Sequence, residues 1–296
     1  MDVSIIIVNY KTCSLVEACI ESILKNTFDI KYEIIVVDNA SEDGSIDYLK
    51  PKFPDVIFIE SESNLGFGGA NNLGLEVAKG EYFFFLNSDT IVLENILLDL
   101  LVQYKRLQQE EKIGALGYFL LDRNNNINYT NSFGNFPTLK SFLRDAISHL
   151  LKRSKRAAVH YAKQNGCIDV DYIIGADLFV SRKVIEDIGT FDTNFFMYWE
   201  EVDLQKRMSN NGYKRKILSK GKLIHLEGMS TQKKVSLFRK KMYHTSLCYY
   251  FSKHRPLIET VILKILFLGF SLRLLTKERN GDLAKYWRSI LNNKLQ

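Results

Sequence analysis

An α/β fold, with a mostly parallel central sheet flanked by helices and a helical, basic extension at the C-terminal end, is what this sequence predicts. Three observations carry that expectation. Short β-rich apolar runs alternate with helical patterns over the first 120 residues. Three of those runs stop at polar residues, Asn9, Asp38 and Asn87. The charge is also divided: residues 233–296 hold 14 Lys/Arg against 3 Asp/Glu, a net +11, and the remainder holds 26 against 31, a net −5.

The elements follow in order. Residues 3–9 form a continuous apolar strand. Residues 15–26 carry apolar side chains at Leu15, Cys19, Ile20, Ile23 and Leu24, which is helical spacing. Residues 33–38 read as a second buried strand, 41–50 as a short helix behind a turn, and 56–60 as a third strand. A helix over 69–78 stops at Gly80, where a glycine terminates it readily. Residues 81–87 give a fourth strand, 94–109 a longer helix and 113–121 another strand. The pattern then breaks. Residues 122–168 read as an insertion, polar and Asn-rich and then basic, around one amphipathic helix at 139–151. That helix has apolar positions 139, 142, 143, 147, 150 and 151 on one face. A strand is expected over 170–181, a helix over 200–211 closed by Gly212, and a last strand over 214–218. From about Val235 the chain reads as helical. The division is therefore a domain over 1–232 and a helical, basic extension over 233–296.

With 46% hydrophobic and 12% aromatic residues in a chain of 296, a large core is available and general disorder is excluded. Cys13, Cys19, Cys167 and Cys248 form no CxxC pair, so they read as reduced thiols of a cytosolic protein. The N-terminus carries Asp2 and enters a core strand at once, with no basic stretch of the kind a signal peptide needs. The basic extension suits an anionic partner, nucleic acid or a membrane surface. No recognisable nucleic-acid-reading module accompanies it, which leaves the membrane. Residues 257–275 are nearly apolar but include Glu259, Lys264 and Arg273, so they suit an interfacial or core-packed helix better than a spanning one. The expected location is cytoplasmic and peripheral, on the inner face of the cell membrane.

Ligands of open parallel sheets bind beyond the carboxyl ends of the strands. Asn9-Tyr10, Asp38-Asn39 and Asn87-Ser88-Asp89 are therefore the residues to watch. Any one of them is an ordinary turn residue; three on one edge form a constellation. A carboxylate such as Asp38 can accept hydrogen bonds from a pyrimidine N–H or a ribose hydroxyl, and Asp89 can hold a hard divalent cation with a diphosphate. The stretch 64–72, NLGFGGANN, is a glycine-rich loop entering a helix, suited to close backbone approach and to anions. Glu200, Glu201 and Asp203 open a helix behind the aromatic pair Tyr198-Trp199. Dipole complementation and pairing with Lys206 and Arg207 would account for Asp203. Two adjacent carboxylates beside an aromatic platform suit general-base work on an acceptor hydroxyl. His225 follows the last strand, where it can complete a metal site.

The segments SIIIVNYKT, EIIVVDNASEDGS, SNLGFGGANNLG, GEYFFFLNSDT, VDYIIGADLFVSR, FDTNFFMYWEEVDLQKRMSNNGYK and IHLEGMST, in this order, resemble the family 2 glycosyltransferases of the GT-A fold, a Rossmann-like α/β architecture. They most resemble the bacterial rhamnosyltransferase-like branch. The resemblance covers residues 3 to about 231. It implies an inverting transfer of a sugar, rhamnose in that branch, from a dTDP- or UDP-sugar to a glycan or lipid-linked acceptor in cell-surface polysaccharide synthesis. Asn9, Tyr10, Asp38 and Asn39 would hold the nucleoside; Asn64, Gly66, Gly68 and Asn71 would lie against the nucleotide sugar. Ser88 and Asp89 stand in the place of the DxD motif, and Asp89 with His225 would ligate Mg²⁺ or Mn²⁺. Glu200-Glu201 stands in the place of the Glu-Asp pair whose second acid is the base, with Gly175, Ala176 and Trp199 on the acceptor side. Two residues depart from the pattern: Asn87 replaces the first acid of DxD, and Glu201 replaces an Asp. A nucleotidyltransferase would instead need a glycine- and Arg/Lys-rich loop after the first strand, where this chain has NYKT. A non-catalytic sugar- or nucleotide-sugar-binding protein would not need both the acid pair and Asp89.

Overall fold

The computed structural model describes residues 1–128, 131–147, 166–226 and 237–275. Its centre is an eight-stranded sheet in the order β3-β2-β1-β4-β10-β6-β11-β8. Strands β1 (Val3–Asn9), β2 (Tyr32–Asp38), β3 (Ile57–Glu60) and β4 (Tyr82–Asn87) are parallel, as is β6 (Ile113–Tyr118) with β11 (Lys214–Leu218). Two strands run antiparallel to their neighbours, β10 (Asp177–Ser181) between β4 and β6, and β8 (Cys167–Val170) at the edge. The α/β fold with a mostly parallel sheet is the one the sequence predicts.

Period-2 alternation sends each central strand to both faces. Ile5 and Ile7 pack with Val16, Cys19 and Ile20 of α1 (Cys13–Asn26), and with Leu97 and Leu100 of α4 (Ile96–Leu107). The intervening Ile6 joins Ala70 of α3 (Gly66–Val77), with Leu204 and Met208 of α7 (Glu200–Asn210), on the opposite face. Helix α2 (Ser45–Leu49) and helix α6 (Arg182–Ile188), the latter capped by Ser181, complete the layers.

A third apolar cluster joins the C-terminal helices to this body. Leu247, Tyr250 and Phe251 of α8 (Leu237–His254), with Leu263 and Phe267 of α9 (Leu257–Leu275), pack on Phe195 and Val202. Phe142 of α5 (Leu139–Ile147) meets Phe267 edge-on at 5.4 Å. Glu259 accepts a hydrogen bond from the Leu139 backbone N–H at 3.1 Å. Two apolar positions of the predicted amphipathic face, Leu139 and Phe142, are thus used against the extension. Residues 148–151 of that helix lie outside the described residues, as do 276–296.

Several boundaries differ from expectation. The strand expected over 170–181 is three pieces: β8, β9 (Tyr172–Ile173) and β10, with a turn through Gly175. The break comes where β9 leaves the sheet to pair with β7 (Phe133–Gly134); the chain rejoins the sheet at Asp177, whose carboxylate accepts the Tyr118 N–H at 2.6 Å. Helix α3 begins at Gly66, three residues before the expected 69, directly after a turn in which the Asn64 side chain accepts the Gly66 N–H at 3.0 Å. The short helix expected over 41–50 shrinks to α2, since Asp38 and Ser41 are engaged in a strand-end turn. Two three-residue strands were not expected: β5 (Thr90–Val92) and β12 (Leu223–His225), which pair antiparallel.

Candidate active site

Strand register builds the first part of the site. Asn9 lies opposite Asp38 across β1 and β2, and Val8 opposite Asn87 across β1 and β4. All three polar strand ends therefore reach one edge. There the Asn9 amide donates to Asp38 Oδ1 at 2.6 Å, and its carbonyl accepts from the Thr12 N–H at 3.1 Å and the Thr12 hydroxyl at 2.8 Å. The Ser41 N–H donates to Asp38 Oδ2 at 3.0 Å. Lys11 and Ala40, in the turns beyond β1 and β2, have φ of +58° and +59°, a conformation that side chains hold only where neighbours fix it. Thr12 then reaches Ser88, hydroxyl to hydroxyl, at 3.2 Å. A cleft of about 630 Å³ opens at this edge, lined by Lys11, Thr12, Cys13, Asp43, Ser45 and Tyr48 among others. That is the size range of small-molecule sites.

The β5–β12 pairing builds the second part. It sets His225 opposite Thr90, one residue past Asp89, and the Leu226 N–H donates to the Asp89 carbonyl at 2.8 Å. His225 Nε2 stands 3.2 Å from Asp89 Oδ1 and 3.4 Å from the Asn87 amide nitrogen. Neighbouring donors on an octahedral cation with bonds of about 2.0–2.1 Å lie about 3 Å apart. One carboxylate and one imidazole at this spacing fit a cation such as Mn²⁺ or Mg²⁺ that takes its remaining donors from a diphosphate and water. Among the described residues no group of three His, Cys, Asp or Glu side chains is arranged to hold a metal alone.

The third part is the acid pair. Tyr198 and Trp199 adopt φ of +70° and +72°, two successive left-handed residues that turn the chain sharply into α7. Glu200 is buried, and its Oε2 has no hydrogen-bond partner. Burial pushes its carboxyl well above the usual range, and the Glu201 charge pushes it further. Burial also raises Glu201, but backbone N–H groups of Glu201, Val202 and Gly175 hydrogen-bond its carboxylate and oppose the shift. Glu201 is thus the member better able to carry charge, and Glu200 the one that keeps a proton.

Contacts close the three parts into a ring. The Asn39 amide donates to the Asn64 carbonyl at 3.0 Å and to the Gly66 carbonyl at 3.2 Å. A Cβ on Gly68 would stand 3.6 Å from Glu200 Cβ, and one on Gly175 would touch Phe67 and Glu201 at 3.4 Å each. The Ala176 carbonyl accepts the Asn87 N–H at 3.1 Å, so residues 175–176 join the acid pair to the Asn87–Asp89 turn.

The expected residues thus divide into two groups. Asn64, Ser88, His225, Glu201 and exposed Tyr10 keep some exposure at the ring, and Asp38 and Asp89 are buried at its strand ends. Asn9, Asn71 and Ala176 are buried and hold neighbours in place: Asn71 donates to the Phe67 carbonyl at 2.9 Å. The glycine loop has a packing task that its composition alone did not show. Gly66 has φ +73°, and a Cβ there would lie 1.9 Å from the Phe196 carbonyl oxygen. Its missing side chains let the acid-bearing segment dock. Thr12 and Ser41, absent from the sequence expectation, complete the Asp38 network. Their position just after strand ends was the available signal.

Comparison with known proteins agrees with this geometry. The family model for glycosyl transferase family 2 matches residues 4–150. Glycosyltransferase GlyG of Streptococcus pneumoniae is 34% identical over 137 residues, 45% of this chain and 42% of its own length. The poly(ribitol-phosphate) beta-glucosyltransferase of Bacillus spizizenii is 36% identical over 121 residues, 39% of this chain and 19% of its own. The chain therefore spans less than half the length of these curated relatives. A crystal structure of GalNAc-T7 with UDP, GalNAc and Mn²⁺ superposes with a TM-score of 0.59 at 14% identity, over 85% of this chain and 48% of the other. That likeness shows the GT-A fold. Through residues 4–150, the chain belongs to glycosyl transferase family 2.

Proposed function

We propose that this chain is a metal-assisted, inverting glycosyltransferase that takes a sugar from a UDP- or dTDP-sugar. The single observation that carries the reading is the ring itself. A cleft at Thr12, a cation-spaced Asp89–His225 pair and a buried acid pair are linked through the Thr12–Ser88 contact and residues 175–176. The family relatives are named for glycosyl transfer, and the GalNAc-T7 structure pairs UDP with Mn²⁺ on this fold.

In this reading Asp38, steadied by Asn9 and Ser41, receives hydrogen bonds from the nucleoside. Asp89 and His225 would hold Mg²⁺ or Mn²⁺, which neutralises charge on the departing diphosphate when bound. Glu201 takes the proton from an acceptor hydroxyl, which attacks the anomeric carbon opposite the leaving group and inverts it. Glu200, kept protonated, limits the charge beside the base. Asn87 in place of a carboxylate leaves the site one negative charge short. The cation would then enter mainly together with the donor. The branch resemblance favours rhamnose as the sugar and a glycan or lipid-linked saccharide as the acceptor.

An anionic membrane surface on the cytoplasmic side suits such an acceptor. Helix α9 buries Leu263 and Phe267 but leaves Leu257 78% and Ile258 63% exposed, with Val261 and Ile265 on the same face. Among the described residues no helix is long and apolar enough to cross a membrane. An interfacial contact fits the apolar stripe and the basic extension together.

A thermal-shift panel tests the donor. UDP- and dTDP-sugars with Mn²⁺ or Mg²⁺ should raise the melting temperature, and each partner alone should do so much less. No shift with any nucleotide sugar would remove the reading.

A further inference from the structure

Helix α8 lies far from the acid pair in sequence yet touches the segment that carries it at three places. Lys253 Nζ stands 2.6 Å from Asp192 Oδ2 and 2.9 Å from Asp203 Oδ1, bridging two carboxylates. The Tyr249 hydroxyl adds a hydrogen bond to Asp192 at 3.0 Å, and His254 Nε2 lies 2.7 Å from Asp203 Oδ1. Between these ends, the Ser246 hydroxyl donates to the Met197 carbonyl at 2.9 Å. Asp192 opens the segment, Met197 is near its middle, and Asp203 lies in the first turn of α7, two residues past Glu201.

What lies between is the least relaxed backbone of the site. Tyr198 and Trp199 are consecutive, non-glycine and left-handed, a state that persists only where surroundings over-determine it. Tyr243 of α8 packs on both rings, at 5.9 Å and 5.3 Å between centroids. Asp203 is fully buried and already has Arg207 of its own helix at 2.9 Å. Pairing within α7 therefore supplies one cation, and Lys253 and His254 add a tie to a second helix.

We propose that α8 is a clamp that holds the acid-bearing segment in its working conformation, with Lys253 as the positioning residue. By bridging Asp192 and Asp203 it fixes the distance that the segment must span. With both ends and Met197 held, the chain between has no relaxed path, and Glu200 and Glu201 are presented to the ring. The kinetic consequence rests on the proposed sugar transfer; the clamp itself does not.

The test uses full-length protein with Lys253→Met, Lys253→Arg, Ser246→Ala and Tyr249→Phe. Hydrogen exchange over residues 190–204 should speed up about tenfold or more in Lys253→Met, with β1, β2 and β4 unchanged. Donor affinity and binding stoichiometry should stay near wild type while kcat falls roughly 10–100-fold. Lys253→Arg should recover most of the loss. Ser246→Ala and Tyr249→Phe should move the same quantities less, and they carry the test should Lys253→Met fail to fold. Unchanged exchange in 190–204 in folded variants would overturn the clamp. So would a kcat loss in folded Lys253→Met that Lys253→Arg leaves unrestored. A wild-type protein that turns over no nucleotide sugar would end the transfer reading, and hydrogen exchange alone would then decide for or against the clamp.

Discussion

The donor edge and the acid side of this ring are held by contrasting means. At the donor edge, Asn9, Asp38 and Asn87 end neighbouring strands in register, and short loops close the network within a few residues of each strand. On the acid side, Glu200 and Glu201 follow two left-handed residues and depend on Gly66, Gly68, Gly175 and helix α8 for their place. A sheet edge positions side chains through backbone hydrogen bonds that any apolar strand supplies. A strained turn needs particular partners from elsewhere in the chain. Substitutions at the donor edge should therefore alter affinity and leave the fold alone, and those on the acid side should alter turnover or stability.

The largest effect should come from Asp89→Ala, which removes the carboxylate of the cation pair. Transfer should be abolished, with circular dichroism and melting behaviour preserved, as read by donor turnover at several Mn²⁺ concentrations. Near wild-type turnover at low cation would break the assignment. Glu201→Gln keeps the shape and removes the proton acceptor, so kcat should fall by roughly 10²–10⁴ with donor affinity intact. The same pattern in Glu200→Gln but not in Glu201→Gln would exchange the two roles.

Asp38→Ala should act as a donor-edge change does, raising the donor KM about tenfold with a smaller fall in kcat, because its contacts are the same in ground and transition states. Gly66→Ala should behave oppositely and cost stability. A left-handed φ and a Cβ 1.9 Å from a carbonyl oxygen forbid the side chain. A loss of about 2 kcal/mol or more corresponds to a melting shift of roughly 4–8 °C. Equal stability of Gly66→Ala would mean the loop does not dock the acid segment as described.

The pH profile gives the smallest but most specific signal. Burial raises both carboxyls of the pair, and a general base must have lost its proton. Activity should therefore rise with pH through a limb above the ordinary glutamate value of about 4.3. In Glu200→Gln, which keeps a neutral side chain beside Glu201, that limb should stay in place, and in Glu201→Gln it should be lost.

The donor edge was legible in the sequence because its code is local. A run of apolar residues that ends in Asn or Asp marks both the strand and the polar residue that closes it, and the helix periods between strands were equally plain. The rest of the site is coded at a distance. Strands β5 and β12 are only three residues long, so no alternation announces them, yet their pairing is what brings His225 to Asp89. Residues 170–181 looked like one strand because their apolar content is continuous; the pairing of β9 with β7, coded far upstream, takes Tyr172–Ile173 out of the sheet. The composition of 66–69 did not show that Gly66 and Gly68 pack against Phe196, Phe191 and Glu200, far along the chain. Lys253 sat in a basic stretch that suggested only a charged surface, and nothing local told that its partners are Asp192 and Asp203.

The central claim, that donor edge and acid pair form one site for sugar transfer with inversion, is tested most directly by proton NMR of a turning-over mixture. Wild-type protein, a UDP- or dTDP-sugar and Mn²⁺ should release the nucleoside diphosphate. The anomeric proton of the product should first appear with the configuration opposite to the donor's, and chelation of the cation should stop the reaction. Retention of configuration, or formation of pyrophosphate from a nucleoside triphosphate in place of nucleoside diphosphate release, would contradict it.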